Sequence, residues 1–282
     1  MTVGQLKQLF TERLSPVMGE REAKAVFLVT AEELAGISRA QTLLDAEQEL
    51  RQDIEAKLID ALAQLEQHRP VQYVLGCAEF CGMRFNVGEG TLIPRPETEE
   101  LVRLIAEDWR GQHPVILDVG TGSGAIAVAL AVLLPGARVV AVDISERALD
   151  YARRNAEANG AKIEFHRLDI LSPDVTLPAG RFDVIVSNPP YVPLSEKGAM
   201  ARNVADYEPH EALFVEDGDP LVFYRAIARL AGKRLARGGG LYFEIFEKSA
   251  AGVCALLARE GFPNAKAISD INTKERIVRW KS

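Results

Sequence analysis

The sequence predicts an α/β protein in which a helical bundle precedes a parallel sheet covered by helices on both faces. From about residue 113 onward, short apolar runs alternate with segments of helical period, which is typical of buried parallel strands joined by helices. Residues 1–70 repeat apolar side chains at helical spacing and lack strand-like alternation. Over 71–96, glycines punctuate short runs rich in Val, Phe and Tyr, which predicts a β-hairpin linker. The third predicted domain is therefore 97–282.

The C-terminal segments can be placed individually. Strands are predicted at 115–119, 138–142, 163–168, 182–187, 240–246, 265–269 and 276–280, and helices at 125–134, 145–159, 220–236 and 249–259. Ser145 is a suitable N-cap for the second of these helices. The last two strands can pair as a hairpin.

Composition limits the possible functions. The chain has 282 residues and a net charge of −7, and its first 70 residues hold eight Lys and Arg against twelve Asp and Glu. This acidic balance argues against non-specific binding to nucleic acid, which depends on clustered basic residues. No apolar run reaches the roughly 18 residues of a membrane helix, and the N-terminus lacks the apolar core of a signal peptide. We therefore expect a cytoplasmic protein.

The three cysteines are Cys77, Cys81 and Cys254, and no CxxC pair occurs. Free thiols in a reducing cytoplasm are the simplest interpretation. No His or Cys lies near Cys77 and Cys81 at the spacing of a zinc site, so no metal is predicted.

A glycine-rich loop follows the first C-terminal strand. It consists of Gly120, Thr121, Gly122, Ser123 and Gly124 and precedes a predicted helix. Glycines permit a tight turn and let a ligand approach the backbone closely. Together with the alanine that follows, the loop also fits the GxGxxA fingerprint of dinucleotide-binding proteins. This setting predicts a cofactor loop.

Acidic residues end the next two strands. Asp143 has the spacing of an acid that binds ribose hydroxyls, a device that NAD enzymes and methyltransferases share, and a role in capping the next helix is the alternative. Asp169 can accept a hydrogen bond from an adenine amino group, and Ile170 can pack on the ring. A simple turn at Asp169 is the competing interpretation.

The tetrapeptide Asn188-Pro189-Pro190-Tyr191 follows the fourth strand. In an open α/β sheet, this is where a loop faces the bound ligand. A planar NH2 group has two hydrogens, and the Asn188 side-chain oxygen and the Pro189 carbonyl can accept one each. The prolines stiffen the loop, and Tyr191 supplies a flat face. These features predict a methyltransferase that acts on an amide or amine nitrogen.

With these motifs in place, the chain resembles the HemK/PrmC family of N5-glutamine methyltransferases, which modify peptide-chain release factors. The resemblance covers nearly the whole chain. It rests on residues 69–76 (RPVQYVLG), 79–80 (EF), 92–99 (LIPRPETE), 117–124 (LDVGTGSG), 187–191 (SNPPY) and 207–209 (YEP). The IPRPET stretch is the most specific, because adenine methyltransferases share NPPY. The chain departs from the family at Asn203-Val204, where Glu-Val is usual, and at Phe246, where glycine is usual.

The resemblance implies a Rossmann-like class I methyltransferase domain with a seven-stranded mixed sheet. It implies S-adenosylmethionine as cofactor, S-adenosylhomocysteine as product, and the glutamine of a release factor's Gly-Gly-Gln tripeptide as substrate. Cofactor contacts then fall on residues 120–124, Asp143, a position at or beside Ile170, and Asn188. Substrate contacts fall on residues 188–191, and the helical domain and hairpin dock the release factor. A monomer is expected.

Arg95 and Glu97, in the IPRPET stretch, are candidates for the mouth of the substrate pocket, with a surface salt link as the alternative. Rival functions also stay open. The substrate could be a glutamine of a ribosomal protein, or an adenine or guanine amino group in nucleic acid. An NAD-dependent dehydrogenase would explain the glycine loop and Asp143 but gives NPPY no role. A non-catalytic binding module would leave the cofactor motifs unexplained.

Overall fold

The computed structural model describes residues 1–173, 175–177 and 180–282. The helices are α1 (Val3–Met18), α2 (Glu20–Ala35), α3 (Gln41–Leu44), α4 (Gln52–Glu66), α5 (Val71–Leu75), α6 (Pro96–Asp108), α7 (Ala125–Leu133), α8 (Glu146–Ala158), α9 (Arg202–Ala205), α10 (His210–Leu213), α11 (Val222–Arg234) and α12 (Ala250–Arg259). The strands are β1 (Cys77–Phe80), β2 (Met83–Asn86), β3 (Val115–Val119), β4 (Arg138–Asp143), β5 (Ile163–Arg167), β6 (Phe182–Ser187), β7 (Val192–Pro193), β8 (Phe214–Val215), β9 (Leu235–Glu244), β10 (Lys266–Ser269) and β11 (Glu275–Lys281). A 3-10 helix spans Leu194–Ala199.

The chain forms two compact units, of which the first comprises residues 1–77 and 201–207. Its core gathers the apolar faces of α1, α2 and α4, with Phe10 and Phe27 meeting edge to face at a centroid distance of 5.3 Å. Thr2 and Gln5 form a capping box that fixes the start of α1. The predicted helical bundle is confirmed. The hydroxyl of Tyr207 donates to the carbonyl of Gln67 at 2.7 Å, which joins the later segment to this unit.

The second unit comprises residues 78–200 and 208–282 and holds a seven-stranded sheet in the order β10-β11-β9-β6-β3-β4-β5. The five strands from β9 to β5 are parallel, and β11 and β10 add antiparallel pairs at one edge. The predicted mixed sheet with a C-terminal hairpin is confirmed. None of the described helices is long and apolar enough to cross a membrane.

Six of the seven predicted strands agree with the structure to within one residue at each end, but β9 differs. It runs over Leu235–Glu244 rather than the expected 240–246. Its pairing with β6 jumps from Leu235 to Gly240 between Phe182 and Val184. Residues 238–240 are all glycine, so they have no side chains in which an alternating pattern could be read.

The order of the parallel strands determines where a ligand can bind. The chain runs from β3 outward through β4 to β5, and then returns to place β6 on the other side of β3. Open α/β sheets bind ligands beyond the carboxyl ends of the strands at such a reversal. Val119 pairs with Ser187, whose hydroxyl donates to the Val119 carbonyl at 2.6 Å. The loops after β3 and β6 therefore start side by side.

The hairpin β1–β2 is tied to the loop after β3 through Asn155 of α8. Cys81 and Gly82 form its two-residue turn with φ of 51° and 72°, as a type I′ turn requires. The buried Asn155 accepts from the Asn86 amide at 2.6 Å and donates to the Ser123 carbonyl at 2.8 Å. Burial raises the pKa of the Cys81 thiol to about 12, which leaves it unreactive at neutral pH.

Gly124→Ala should lower the free energy of unfolding by about 1–3 kcal/mol. Gly124 has a φ of 82°, and a Cβ atom there would lie 3.0 Å from the Cα of Ala152. Chemical denaturation measures the loss. The control is Gly218→Ala, because a Cβ atom at Gly218 would meet nothing within 4 Å. Equal stability of the two variants would contradict the prediction.

Candidate active site

A cavity of about 280 Å³ lies at the carboxyl edge of the parallel strands in the second unit. Its wall is formed by the loops after β3, β4, β5 and β6, by residues 90–98 and by parts of α10 and α11. The lining residues include Leu92, Pro94, Arg95, Thr98, Gly120, Thr121, Gly122, Ser123, Asp143, Ile144, Asp169, Ile170, Leu171, Asn188, Pro189, Pro190, Glu211, Ala212 and Phe223. The cavity therefore collects most of the residues predicted for the site.

The glycine loop lines the cavity from Gly120 to Ser123, whereas Gly124 is not among the described lining residues. A Cβ atom at Gly120 or Gly122 would meet no protein atom within 4 Å, so the space beside this backbone is open to a ligand. Thr121 donates to the carboxylate of Asp118 at 2.6 Å. Gly124 instead lets α8 approach closely, through Ala152.

Asp143 lines the cavity and also shapes the loops around it. Its two oxygens accept from the amides of Gly122 at 2.8 Å and Ser145 at 2.9 Å. The helix cap is Ser145, whose hydroxyl accepts from the Ala148 amide at 3.3 Å. Burial is the main cause that raises the pKa of Asp143, and the nearby Glu211 adds to it. The carboxylate retains acceptor capacity for a ligand hydroxyl.

The adenine-binding residues predicted from sequence, Asp169 and Ile170, also line the cavity. Asp169 accepts from the Leu171 amide at 2.8 Å, so it stabilises a turn as well. Ile144 and Leu171 line the same region and are 52% and 44% exposed. Exposed apolar side chains beside a cavity are suited to a flat ring. Sequence reasoning missed Ile144, although it directly follows Asp143.

The four residues of the tetrapeptide after β6 do not all line the cavity. Asn188, Pro189 and Pro190 line the cavity, whereas Tyr191 is not among the described lining residues. Its hydroxyl donates to Oε1 of Glu244 at 3.1 Å, and its ring stacks with Phe246 at a centroid distance of 6.4 Å. The flat face that Tyr191 is predicted to offer to substrate stays a prediction.

Two polar residues that sequence reasoning did not select, Thr98 and Glu244, are linked to Asn188 by hydrogen bonds. Its Nδ2 donates to the hydroxyl of Thr98 at 3.3 Å, and Thr98 donates to Oε2 of Glu244 at 2.6 Å. Burial raises the pKa of Glu244, and the nearby carboxylate of Glu97 raises it further. Glu97 itself does not line the cavity within the described residues. Thr98 lies inside the IPRPET stretch, and that motif was the sequence signal that could have pointed to it.

Arg95 lines the cavity and pairs with a buried partner rather than a surface one. Its guanidinium donates to Oε1 of Glu208 at 2.5 Å, while Oε2 of Glu208 accepts from the Ile93 amide at 3.1 Å. Glu208 is 3% exposed, and burial raises its pKa. This pair holds the segment before α6 against the cavity.

The charges of the cavity wall favour a cationic ligand. Three described lining residues are acidic, namely Asp143, Asp169 and Glu211, and the one basic lining residue, Arg95, is neutralised by Glu208. A sulfonium with an amino acid tail suits this balance, whereas the pyrophosphate of NAD would be repelled. The residues present therefore fit S-adenosylmethionine. No cluster of metal-ligating side chains occurs among the residues that the structure describes.

Asp118→Asn should stabilise the ligand-free protein more at pH 8 than at pH 5. Burial raises the pKa of Asp118 to about 7, and its Oδ1 forms no hydrogen bond within the described chain. A raised carboxyl pKa means that the native state binds more protons than the unfolded state, so wild-type stability falls as the pH rises from about 4 to 7.

Asparagine has no carboxyl group to ionise, so its gain over wild type should grow by about 2–3 kcal/mol between the two pH values. Thermal or chemical denaturation of both proteins at each pH measures this difference. A gain that is independent of pH would contradict the raised pKa.

Comparisons with known proteins bear on the family and the fold of this chain. A family model described as the PrmC N-terminal domain matches residues 5–76, and one described as a methyltransferase small domain matches residues 97–206. The structure of a methyltransferase from Pyrococcus furiosus shares the fold, with 20% identity, a TM-score of 0.52, and coverage of 82% of this chain and 98% of that one.

Two relatives match at much higher identity, and both are named release factor glutamine methyltransferase. The protein from Flavobacterium psychrophilum is 40% identical over 99% of each chain. The protein from Bacteroides thetaiotaomicron is 40% identical over 95% of each chain. The resemblance predicted from the motifs is confirmed, and the chain belongs to the release factor glutamine methyltransferase family.

Proposed function

We propose that this protein transfers a methyl group from S-adenosylmethionine to the side-chain amide nitrogen of the glutamine in the Gly-Gly-Gln tripeptide of peptide-chain release factors. The observation that carries the proposal is the shared cavity, where Asn188, Pro189 and Pro190 face the same space as the glycine loop and Asp143. Family membership supports the substrate. Because release factors act in translation, the proposed reaction takes place in the cytoplasm.

The cofactor would be held by the part of the wall that follows β3, β4 and β5. Asp143 would accept from the ribose hydroxyls, and Ile144, Ile170 and Leu171 would flank the adenine. The open backbone at Gly120 and Gly122 would receive the amino acid end. When bound, S-adenosylmethionine supplies a methyl group activated by the positive charge of sulfur.

The substrate amide would be oriented by the loop after β6. Asn188 Oδ1 and the Pro189 carbonyl would each accept one hydrogen of the planar NH2 group. The proline rings fix their φ angles, which keeps both acceptors in place. Holding a nucleophile in line with its target contributes up to about 7–11 kcal/mol to lowering a barrier. Orientation is therefore the main contribution of this loop, and no strong base is required.

The substrate assignment predicts where a labelled methyl group goes. The protein, incubated with methyl-labelled S-adenosylmethionine, should label a release factor and leave its glutamine-to-alanine variant unlabelled. Ribosomal proteins, DNA and RNA are tested in parallel with the same preparation. Label in nucleic acid, in a ribosomal protein, or in both release factors equally would contradict the proposal.

Asn188→Ala should reduce kcat by about 100-fold or more, because the substrate amide loses one of its two acceptors. The Kd for S-adenosylmethionine should rise much less. Single-turnover kinetics and isothermal titration calorimetry measure the two quantities. Asn159→Ala is the matched control, because Asn159 donates to the Arg84 carbonyl at 3.0 Å away from the cavity and should retain full activity. Equal losses in kcat and cofactor affinity would make Asn188 chiefly a cofactor ligand.

A further inference from the structure

Resting on the proposed function, we propose that Glu244 is a positioning residue that acts through Thr98 to fix which end of the Asn188 side-chain amide faces the cavity. Asn188 can accept from the substrate only if its Oδ1 is turned toward the cavity. An asparagine side chain can rotate by 180° with little change in shape, so its orientation must be set by its hydrogen-bond partners. The contacts behind Asn188 provide this constraint.

The direction of each hydrogen bond follows from the chemistry of Glu244. With Glu244 ionised, its carboxylate can only accept, so the hydroxyl hydrogen of Thr98 points to Oε2, at 2.6 Å. The Thr98 oxygen is then available to Asn188 only as an acceptor. Asn188 must therefore present Nδ2 to Thr98, at 3.3 Å, which leaves Oδ1 on the opposite side.

The second oxygen of Glu244 constrains the other end of the tetrapeptide. Oε1 accepts from the Tyr191 hydroxyl at 3.1 Å, and this bond together with burial raises the pKa of the phenol well above its ordinary range. One carboxylate thus holds both Asn188 and Tyr191, the two ends of the loop with Pro189 and Pro190 between them. The loop is anchored from behind at both ends.

The burial of Glu244 supports its role in positioning Asn188 and Tyr191. It is 1% exposed and lies at the end of β9, beside the end of β6. Burial raises its pKa, while the two hydroxyl donors and the nearby Arg276 act in the opposite direction. A buried carboxylate destabilises a fold unless its oxygens are satisfied. Here both oxygens accept hydrogen bonds, one from Thr98 at the cavity wall and one from Tyr191.

The first test is Glu244→Gln, which preserves size but replaces one acceptor oxygen by an NH2 group. Only one of the two hydroxyls can then donate to residue 244. Either the NH2 group faces Thr98, whose hydrogen then turns toward Asn188 and flips its amide, or it faces Tyr191, whose hydroxyl can then no longer donate to residue 244. We expect kcat on a release factor to fall by about 10–100-fold. The Kd for S-adenosylmethionine should stay within about threefold, and Tm should not fall, because a neutral side chain is easier to bury.

The matched control is Asp183→Asn, at the opposite end of β6. Its carboxylate accepts from the Val115 amide at 2.8 Å, so this change also converts a bonded carboxylate of the same sheet to an amide. This variant should retain wild-type kcat. A fall equal to that of Glu244→Gln would assign both effects to the sheet as a whole and overturn the proposal.

Thr98 provides the second test, through one pair of variants. Thr98→Ser keeps the hydroxyl and should retain at least about half of the wild-type kcat, whereas Thr98→Val removes it and should lose about as much as Glu244→Gln. The double variant with Glu244→Gln and Thr98→Val should lose little more than either alone, because both break one chain of contacts. A Thr98→Val variant with near-wild-type kcat, or additive losses in the double variant, would overturn the proposal.

A measurement that does not depend on the substrate separates this proposal from the proposed function. Nuclear Overhauser contacts from the side-chain amide protons of Asn188 to Thr98 should be present in the wild type. In Glu244→Gln, either these contacts or those between the Tyr191 ring and residue 244 should weaken. If the wild type labels no release factor, the proposed function fails while these contacts still test the orientation of Asn188. Absence of the Asn188–Thr98 contacts in the wild type, or contacts of both Asn188 and Tyr191 that are unchanged in Glu244→Gln, would overturn the role of Glu244.

Discussion

The parallel pairing of β3 with β6 is the constraint on which the candidate site depends. Val119 and Ser187 are register partners and are joined by the Ser187 hydroxyl, so the chain leaves both strands at the same point. β3 leads into the glycine loop, and β6 leads into Asn188 and the two prolines. A shift of two residues in this pairing would separate them by about 7 Å, which exceeds the reach of a methyl transfer. The sheet therefore sets the distance between cofactor and substrate.

Buried carboxylates organise the loops that the sheet brings together. Asp118 holds Thr121, and Asp143 holds the amides of Gly122 and Ser145. Glu208 holds Arg95, and Glu244 holds Thr98 and Tyr191. Burial raises the pKa of each of these four acids, so each is unfavourable on its own. Such groups are tolerated where local order is needed for function. All four lie in or directly behind the wall of the cavity.

The strands and helices of the second unit could be predicted because each is a local pattern. Buried strands show unbroken apolar runs, and Ser145 signals the start of its helix by itself. The prediction for β9 missed its start because the glycines at 238–240 have no side chains to show a pattern, and it placed the end two residues too late. Gly120 to Ser123, Asp143, Asn188 and the prolines were recognised because they stand at the ends of predicted strands, where ligands bind in this fold class.

The sequence alone determined the class of fold, the order of the strand-end motifs and the resemblance to a methyltransferase family, because these depend on residues close together in the chain. The tertiary structure alone decided that Glu244 is linked to Asn188 through Thr98, that the Tyr191 hydroxyl bonds Glu244, and that Arg95 pairs with Glu208. These contacts join residues separated by 53 to 146 positions. Periodicity and spacing report only local geometry, whereas such contacts arise from the crossovers that place β6 next to β3 and β9 next to β6, and from the packing of α6 against β9.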